Sequence, residues 1–263
     1  MITNLQNPRV KNIVKLQKKP SERKSQNTFV IEGKRELSLA QQSRFDIREI
    51  YLCDDIYKED SSYPVNIESV SVIHISTEVY NKIAYRENSE GIIGLANNKE
   101  TALKDINLSS NPLLLVLETV EKPGNLGAVL RTADAAGVDA VIVCDIKTDL
   151  YNPNVIRSSL GCIFSNQIII CDSKELIKWL TKKQIAVFAA MPGSKTPYFK
   201  IDYTKPSAFV FGAEAEGLSQ QWSEAPIQKI EIPMAGKIDS LNVSVSVAIV
   251  TYEALRQREA SPL

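Results

Sequence analysis

Apolar positions along this chain follow two regimes. In the first, short alternating runs dominate. After Pro8, the residues Val10, Ile13, Val14 and Leu16 mark one face of a helix over about 8–18, with lysines on the other side. TFVIE (28–32) reads as a strand, and Gly33 turns the chain into a helix over KRELSLAQQ (34–42). REIYLC (48–53) and VIHIS (72–76) read as strands, TEVYNKIAY (77–85) as a helix with Thr77 as N-cap, and GIIGLAN (91–97) as a closing strand. Together these predict a compact α/β unit.

Residues 98–112 are polar and lack a strong apolar period, so they read as a linker or surface segment. The second regime opens at LLLVLET (113–119). Apolar runs of about four to seven residues then alternate with helical patterns: AVIVCD, QIIIC, IAVFAA, AFVFG and KIEIP as strands, and GAVLRTADAAG, NVIRSSLG and ELIKWLTKK as helices. That alternation predicts a parallel sheet covered on both faces. The division falls at residues 1–105 and 106–263. One stretch is ambiguous. In SLNVSVSVAIVTYEALRQR (240–258), Val243, Val245 and Val247 alternate like a strand, whereas Leu241, Val245, Ala248, Tyr252 and Leu255 fit a helix.

Composition narrows the class. With 263 residues, 44% hydrophobic and 24% charged, the chain has the make-up of a globular protein rather than a disordered or fibrous one. No apolar run approaches the roughly 18–20 residues of a membrane helix, and the N-terminus has no apolar signal-peptide core, so a cytoplasmic protein without a membrane partner is expected. The cysteines, Cys53, Cys144, Cys162 and Cys171, form no CxxC and read as buried thiols. His74 is the only histidine and sits in a strand, which leaves nothing for a multi-histidine metal site or a histidine-based triad; no metal is expected.

Net charge is zero, but its distribution is not uniform. Residues 1–40 hold nine basic and three acidic residues, a net of six positive charges balanced by six negative ones in the remainder. Such a concentration is the footprint of a polyanion-binding surface, and equally of a solvated helix face.

Three loops at the C-terminal ends of predicted strands carry unusual residues, at the edge where open α/β sheets bind ligands. In VEKPGNLGAVLRTADAAG (120–137), Gly124 and Gly127 permit a tight turn into a helix whose N-terminal amides suit an anion, and Arg131 follows one turn after Gly127. This loop is neither GxGxxG nor a P-loop. In FVFGAEAEGLS (209–219), Glu214 and Glu216 follow Gly212; they suit acid/base work or a cation, or a plain turn into a helix capped by Ser219. In IEIPMAGKIDSLNVSVS (230–246), Asp239, Ser240 and Asn242 cluster where the next element starts and read equally as helix caps.

Taken together, PGNLGAVLRTADAAGV, FGAEAEGL and IPMAGKIDSLNVSVS, with YEALRQR following, resemble the three motifs of the SpoU (TrmH) branch of the SPOUT superfamily of RNA methyltransferases, in order and in spacing. The N-terminal half, from NPRVKNIVKL through FVIEGKREL to GIIGLAN, resembles the small α/β RNA-binding domain that precedes the catalytic domain in many members. Ser246 and Thr251 stand where relatives are more often apolar.

The resemblance implies an α/β fold with a C-terminal parallel-sheet SPOUT domain tied in a deep trefoil knot. It also implies a homodimer, S-adenosyl-L-methionine as cofactor, and methyl transfer to a ribose 2′-hydroxyl of RNA, ribosomal rather than transfer RNA. The last element is then a helix. By position in the motifs, Asn125, Arg131, Glu214, Ser240 and Asn242 are the expected catalytic residues, and Gly212, Ile232, Met234 and Leu241 surround the cofactor. Arg131 sits at the hydroxyl. There it serves either as general base, which requires a strongly perturbed guanidinium, or to clamp the neighbouring phosphate and orient the hydroxyl, with the proton passing to a phosphate oxygen or water. Asn125 and Asn242 position groups, Glu214 fixes Arg131 or its loop, and Ser240 bonds the substrate or Arg131. Arg9, Lys11, Lys18, Lys19, Lys24, Lys34 and Arg35 hold RNA through its phosphates, with Tyr85, Arg86, Tyr151 and Tyr198 as candidate stacking surfaces. Competing readings are a transfer-RNA methyltransferase, a non-catalytic RNA-binding protein on the same fold, and a nucleotide-dependent oxidoreductase. The intact polar set and the missing GxGxxG argue against the last two.

Overall fold

The computed structural model describes residues 1–85, 90–213 and 216–260; Arg86 and Glu214 lie outside them. In chain order the first 99 residues form α1 (Pro8–Lys18), α2 (Pro20–Gln26), β1 (Thr28–Glu32), α3 (Lys34–Gln42), β2 (Ile47–Leu52), β3 (Ser71–His74), α4 (Thr77–Ile83) and β4 (Ile92–Asn97). There follow β5 (Leu113–Glu118), α5 (Pro123–Ala135), β6 (Ala140–Cys144), α6 (Pro153–Ser158), α7 (Cys162–Ser165), β7 (Ile168–Cys171) and α8 (Ser173–Lys183). The chain ends in β8 (Ala186–Ala190), β9 (Ser207–Phe211), α9 (Gln220–Ser223), β10 (Gln228–Ile230) and α10 (Val243–Ala260). The chain packs as two units, one of residues 1–99 with 149–165, the other of residues 100–148 with 166 onward.

The first unit is built on a four-stranded sheet of order β1-β4-β2-β3, in which only the β2–β3 pair is parallel. Helix α1 starts where Asn7 accepts a hydrogen bond from the Arg9 amide and Pro8 takes the first helical position, which needs no donor. Its apolar face, Val10, Ile13 and Leu16, is buried with Val79, Tyr80 and Ile83 of α4 against Val30, Tyr51 and Ile93. Ser76, not Thr77, caps α4, accepting from the Val79 amide. Sequence reading missed α2, which opens on Pro20 and stops at Asn27 in the left-handed region (φ 49°).

Residues 149–165 join this unit through aromatic packing. The Phe29 ring stacks on Tyr151 at 4.1 Å and on Phe164 at 6.1 Å. Strand β1 is therefore buried at every residue, Val30 toward α1 and Phe29 toward the aromatic cluster. A contiguous cut at 105 does not capture this, because the segment lies more than a hundred residues from its packing partner. Arg23 is buried too: its Nε lies 2.5 Å from Asp149 Oδ2, and Nη1 donates to the carbonyls of Leu16 and Gln17. One of the nine N-terminal charges is thus internal.

The second unit carries a six-stranded, wholly parallel sheet of order β10-β8-β9-β5-β6-β7. On one face, Leu176 and Leu180 of α8 and Trp222 of α9 pack on Leu114, Val116, Ile142 and Val210. On the other, α10 packs on α5 and β9. Residues 98–112 are more than a linker, since Leu103 is buried in this core with Ile106 and Leu108 against it. The ambiguous stretch is helical from Val243: Val247, Val250, Thr251 and Ala254 are buried on one side, and the Thr251 hydroxyl donates to the Val247 carbonyl. Among the described residues no helix is long and apolar enough to cross a membrane.

Candidate active site

The C-terminal edge of the parallel sheet gathers the three loops. After Glu118, Thr119 takes a left-handed turn (φ 53°), and Pro123 starts α5 at its first position. Asn125 is thereby held, half-buried, in the first turn. Arg131 falls on the exposed face of the same helix with Gly124 and Ala135. Among the described residues its guanidinium has no ion-pair partner.

The second loop leaves β9 at Gly212. A Cβ there would overlap the Gly217 carbonyl carbon and lie 2.5 Å from the Leu218 amide nitrogen, so only glycine lets the loop fold back. The return is fastened by paired backbone hydrogen bonds between Ala213 and Gly217, with Gly217 at φ 68°. Glu216 is exposed, 3.8 Å from Lys147 Nζ, which also pairs at 2.9 Å with Glu121 of the first loop. The hydrogen bond to Glu121, then the two carboxylate charges, raise the Lys147 pKa.

The third loop runs from Ile232 to Asn242. Asn242 occupies the N-cap position of α10, its Oδ1 accepting from the Ser244 amide at 2.9 Å and the Ser244 hydroxyl at 2.7 Å. It does a second thing at once: Nδ2 donates to Asn125 Oδ1 at 3.2 Å, joining the first and last loops. Ser240 is exposed, with Oγ 3.4 Å from Asp239 Oδ1.

The loops enclose a cleft of about 640 Å³. Gly212, Ile232, Met234, Ser240, Leu241 and Asn242 line it, while Arg131 does not. Asp239, singled out with its loop, also lines it; Met191, Pro192 and Lys122 line it too and were missed from sequence. The signal for Met191 and Pro192 was available: Met-Pro-Gly directly follows a strand at the ligand edge. A smaller chamber of about 140 Å³ adjoins the cleft, sharing Gly212, Ala213 and Val243 and reaching Asn125 and Glu118. Ser219 is the expected helix cap, but its side chain makes no capping bond and turns to Glu118 instead.

In the first unit Lys11, Lys18, Lys19 and Lys24 are exposed. Arg9 lies 3.6 Å from Glu49, Lys34 lies 3.8 Å from Asp60, and Arg35 sits over the Tyr63 ring. Tyr151 is buried and offers no stacking surface; Tyr85 is exposed and Tyr198 half-exposed. Cys53, Cys144 and Cys162 are buried, and Cys171 is half-exposed.

A helix-covered parallel sheet with a mixed apolar and polar cleft at its strand ends defines an α/β domain of the cofactor-binding class. Residues 112–252 match the SpoU rRNA Methylase family, and residues 7–94 match the MRM3-like substrate binding domain. The chain belongs to the SpoU rRNA Methylase family. It is 28% identical to the 23S rRNA (guanosine(2553)-2′-O)-methyltransferase RlmP of Bacillus subtilis, over 95% of this chain and 97% of that one. It is similar to the crystal structure of an RNA 2′-O ribose methyltransferase, with 38% identity, a TM-score of 0.83, and 98% and 99% of the two chains covered. An AdoMet-bound rRNA methyltransferase from Sinorhizobium meliloti matches at 27% identity and a TM-score of 0.84, covering 97% of each chain.

Proposed function

We propose that this protein transfers a methyl group from S-adenosylmethionine to a ribose 2′-hydroxyl of ribosomal RNA. The observation that carries the reading is the cleft itself: residues of the second and third motif loops line it together, and the first loop is tied to the third through Asn125 and Asn242. Its size lies within the roughly 300–1,000 Å³ of cofactor sites. Its walls fit the cofactor. Ile232, Met234, Leu241 and Met191 offer apolar surface for an adenine ring, the Gly212–Ala213 backbone lies bare of side-chain bulk, and Glu216 and Asp239 offer acceptors for hydroxyl and cationic groups. Bound there, S-adenosylmethionine supplies an electrophilic methyl carbon on a sulfonium.

The chain's own residues do the rest. Asn242, held by its cap bonds, and Asn125 set the floor of the site. Arg131 orients the ribose hydroxyl and clamps a neighbouring phosphate with its planar fork, and the hydroxyl proton leaves to a phosphate oxygen or water. Holding the reacting atoms in line supplies much of the rate, on the order of 7–11 kcal/mol at best. Ser240 bonds the substrate or Arg131, and Glu214 steadies the arginine.

A homodimer completes this site. Arg131 lies outside its own chain's cleft, and α10 beside it exposes Val245 and Tyr252, 45% and 50% accessible, as apolar surface for a partner. The trefoil knot belongs to the same reading. It is supported by the strand order, in which the chain crosses from β7 past β5 to β8, returns to place β9 beside β5, and leaves again to β10. The first unit holds RNA by Arg9, Lys11, Lys18, Lys19, Lys24, Lys34 and Arg35, and the reaction belongs in the cytoplasm, with its ribosomal substrate.

The test uses methyl-tritiated S-adenosylmethionine with ribosomal RNA and transfer RNA from cells lacking the gene. Label is expected in an alkali-stable dinucleotide, because a 2′-O-methyl blocks strand cleavage. Label on a base, or on transfer RNA alone, contradicts the reading.

A further inference from the structure

Glu118 is a buried acid that neither the motifs nor the reaction employs. It ends β5 with 2% of its surface exposed and lines the chamber behind the cleft. A carboxylate in such a place needs its lone pairs filled. Ser219 fills two positions: its amide donates to Oε2 at 2.7 Å and its hydroxyl to Oε1 at 2.7 Å. Ser173, at the start of α8, lies with Oγ 2.8 Å from Oε1. That hydroxyl also lies 2.7 Å from Asp145 Oδ2 and accepts from Trp222 Nε1 at 3.3 Å. Its single proton serves one carboxylate at a time.

The position of Ser219 gives this network its meaning. Gly212 starts the second motif loop, the Ala213–Gly217 bonds close it, and Ser219 is its far root. Glu118 is itself two residues before Val120 and five before the start of α5, so it stands at the root of the first loop. One carboxylate therefore ties the roots of two cleft-forming loops together, from beneath and away from solvent. A loop held only by its own turn would sample other positions; a charge-assisted double bond to its root removes that freedom.

We propose that Glu118 is a positioning residue for the cofactor, acting through Ser219 to hold Gly212, Ala213 and Gly217 of the cleft wall in place. The proposal rests on the methyltransferase reading. Glu118→Gln keeps the shape but sets an amide donor against donors from Ser219, and Ser219→Ala removes one bond while keeping the backbone donor.

The experiment measures S-adenosylhomocysteine affinity by calorimetry, ribosomal RNA affinity and ligand-free thermal stability on the full chain, with methyl-transfer kinetics alongside. Expected for Glu118→Gln is a loss of about tenfold in S-adenosylhomocysteine affinity and a matching rise in KM for S-adenosylmethionine, with RNA affinity and kcat at saturation retained. Ser219→Ala loses less, and the double variant loses no more than Glu118→Gln alone. Unchanged cofactor affinity in both single variants overturns the proposal, as does a parallel fall of stability, RNA binding and cofactor binding in both. Failure of the wild-type chain to bind S-adenosylhomocysteine overturns the methyltransferase reading itself, a result distinct from either.

Discussion

The parallel sheet has two edges, and they treat polar groups differently. Where the strands begin, most polar groups are paired off, Asn111 Oδ1 being an exception. The Arg258 side chain, at the end of α10, donates to the carbonyls of Asn111, Pro112, Tyr203 and Lys205, at 2.8–3.2 Å. Asp139 accepts from the Ser109 and Leu113 amides, and Gln167 bridges Asn107 and Asp139. Where the strands end, Ser240, Asn242 and Arg131 are exposed, and the hydrogen bonds that order the loops run mostly among loop residues and Glu118. The same backbone direction thus yields a closed, stabilising edge and an open one on which a ligand completes the bonding. Substitutions at the first edge should cost stability; those at the second should cost activity.

The largest expected effect breaks the reactive edge alone. Arg131→Lys keeps the charge and loses the fork, and kcat on ribosomal RNA is expected to fall about 100-fold or more, while the melting temperature stays within a degree or two. A wild-type rate removes Arg131 from the account. At the opposite edge, Arg258→Ala strips donors from several carbonyls at once. A loss of about 2–4 kcal/mol is expected, read as a melting point lower by roughly 5–15 °C, with S-adenosylhomocysteine affinity retained on the folded fraction.

Gly212→Ala sharpens the comparison, because it strikes the open edge through sterics. The new methyl meets the Gly217 backbone, the loop must shift, and cofactor affinity by calorimetry is expected to fall about tenfold with little change in RNA affinity. A smaller effect belongs to the first unit. Removing residues 1–35 is no clean test of RNA binding, since Val10, Ile13, Leu16, Phe29 and Ile31 are core. Replacing Lys11, Lys18, Lys19 and Lys24 by alanine spares that core. It is expected to weaken RNA binding a few-fold at low salt and to flatten its salt dependence by about 0.7 log unit for each phosphate left without its lysine. The smallest effect is chemical. The hydrogen bond with Cys171, then burial, pushes the Cys144 thiol well above the usual range. Iodoacetamide on the native protein is therefore expected to leave Cys144 unlabelled, as mass spectrometry of its peptide reports.

Local pattern carried most of the elements. α1 and β1 sit at the predicted residues because a proline start, a period-3.6 face and a β-branched run are all local signals. Helix α10 is the exception. Its alternating valines fit a strand, and burial of Val247, Val250 and Ala254 in the core decides for helix against propensity. The motif loops were legible as loops, and six of their expected residues line one cleft. What the sequence hid is the packing of distant positions on one another. Tyr151 under Phe29, Asp149 on Arg23, and Ser219 on Glu118 join segments about 100 residues apart or more. A serine that reads as a helix cap and one that fills a buried carboxylate look alike in one dimension.

The central claim is that the loops at the strand ends form one seat for the methyl donor. A crystal structure with S-adenosylhomocysteine tests it most directly. The ligand is expected in the cleft, its adenine against Ile232, Met234 and Leu241 and its sulfur within reach of an Arg131 from one protomer or its partner. A ligand bound anywhere else, or a sulfur remote from every Arg131 in the assembly, contradicts the account.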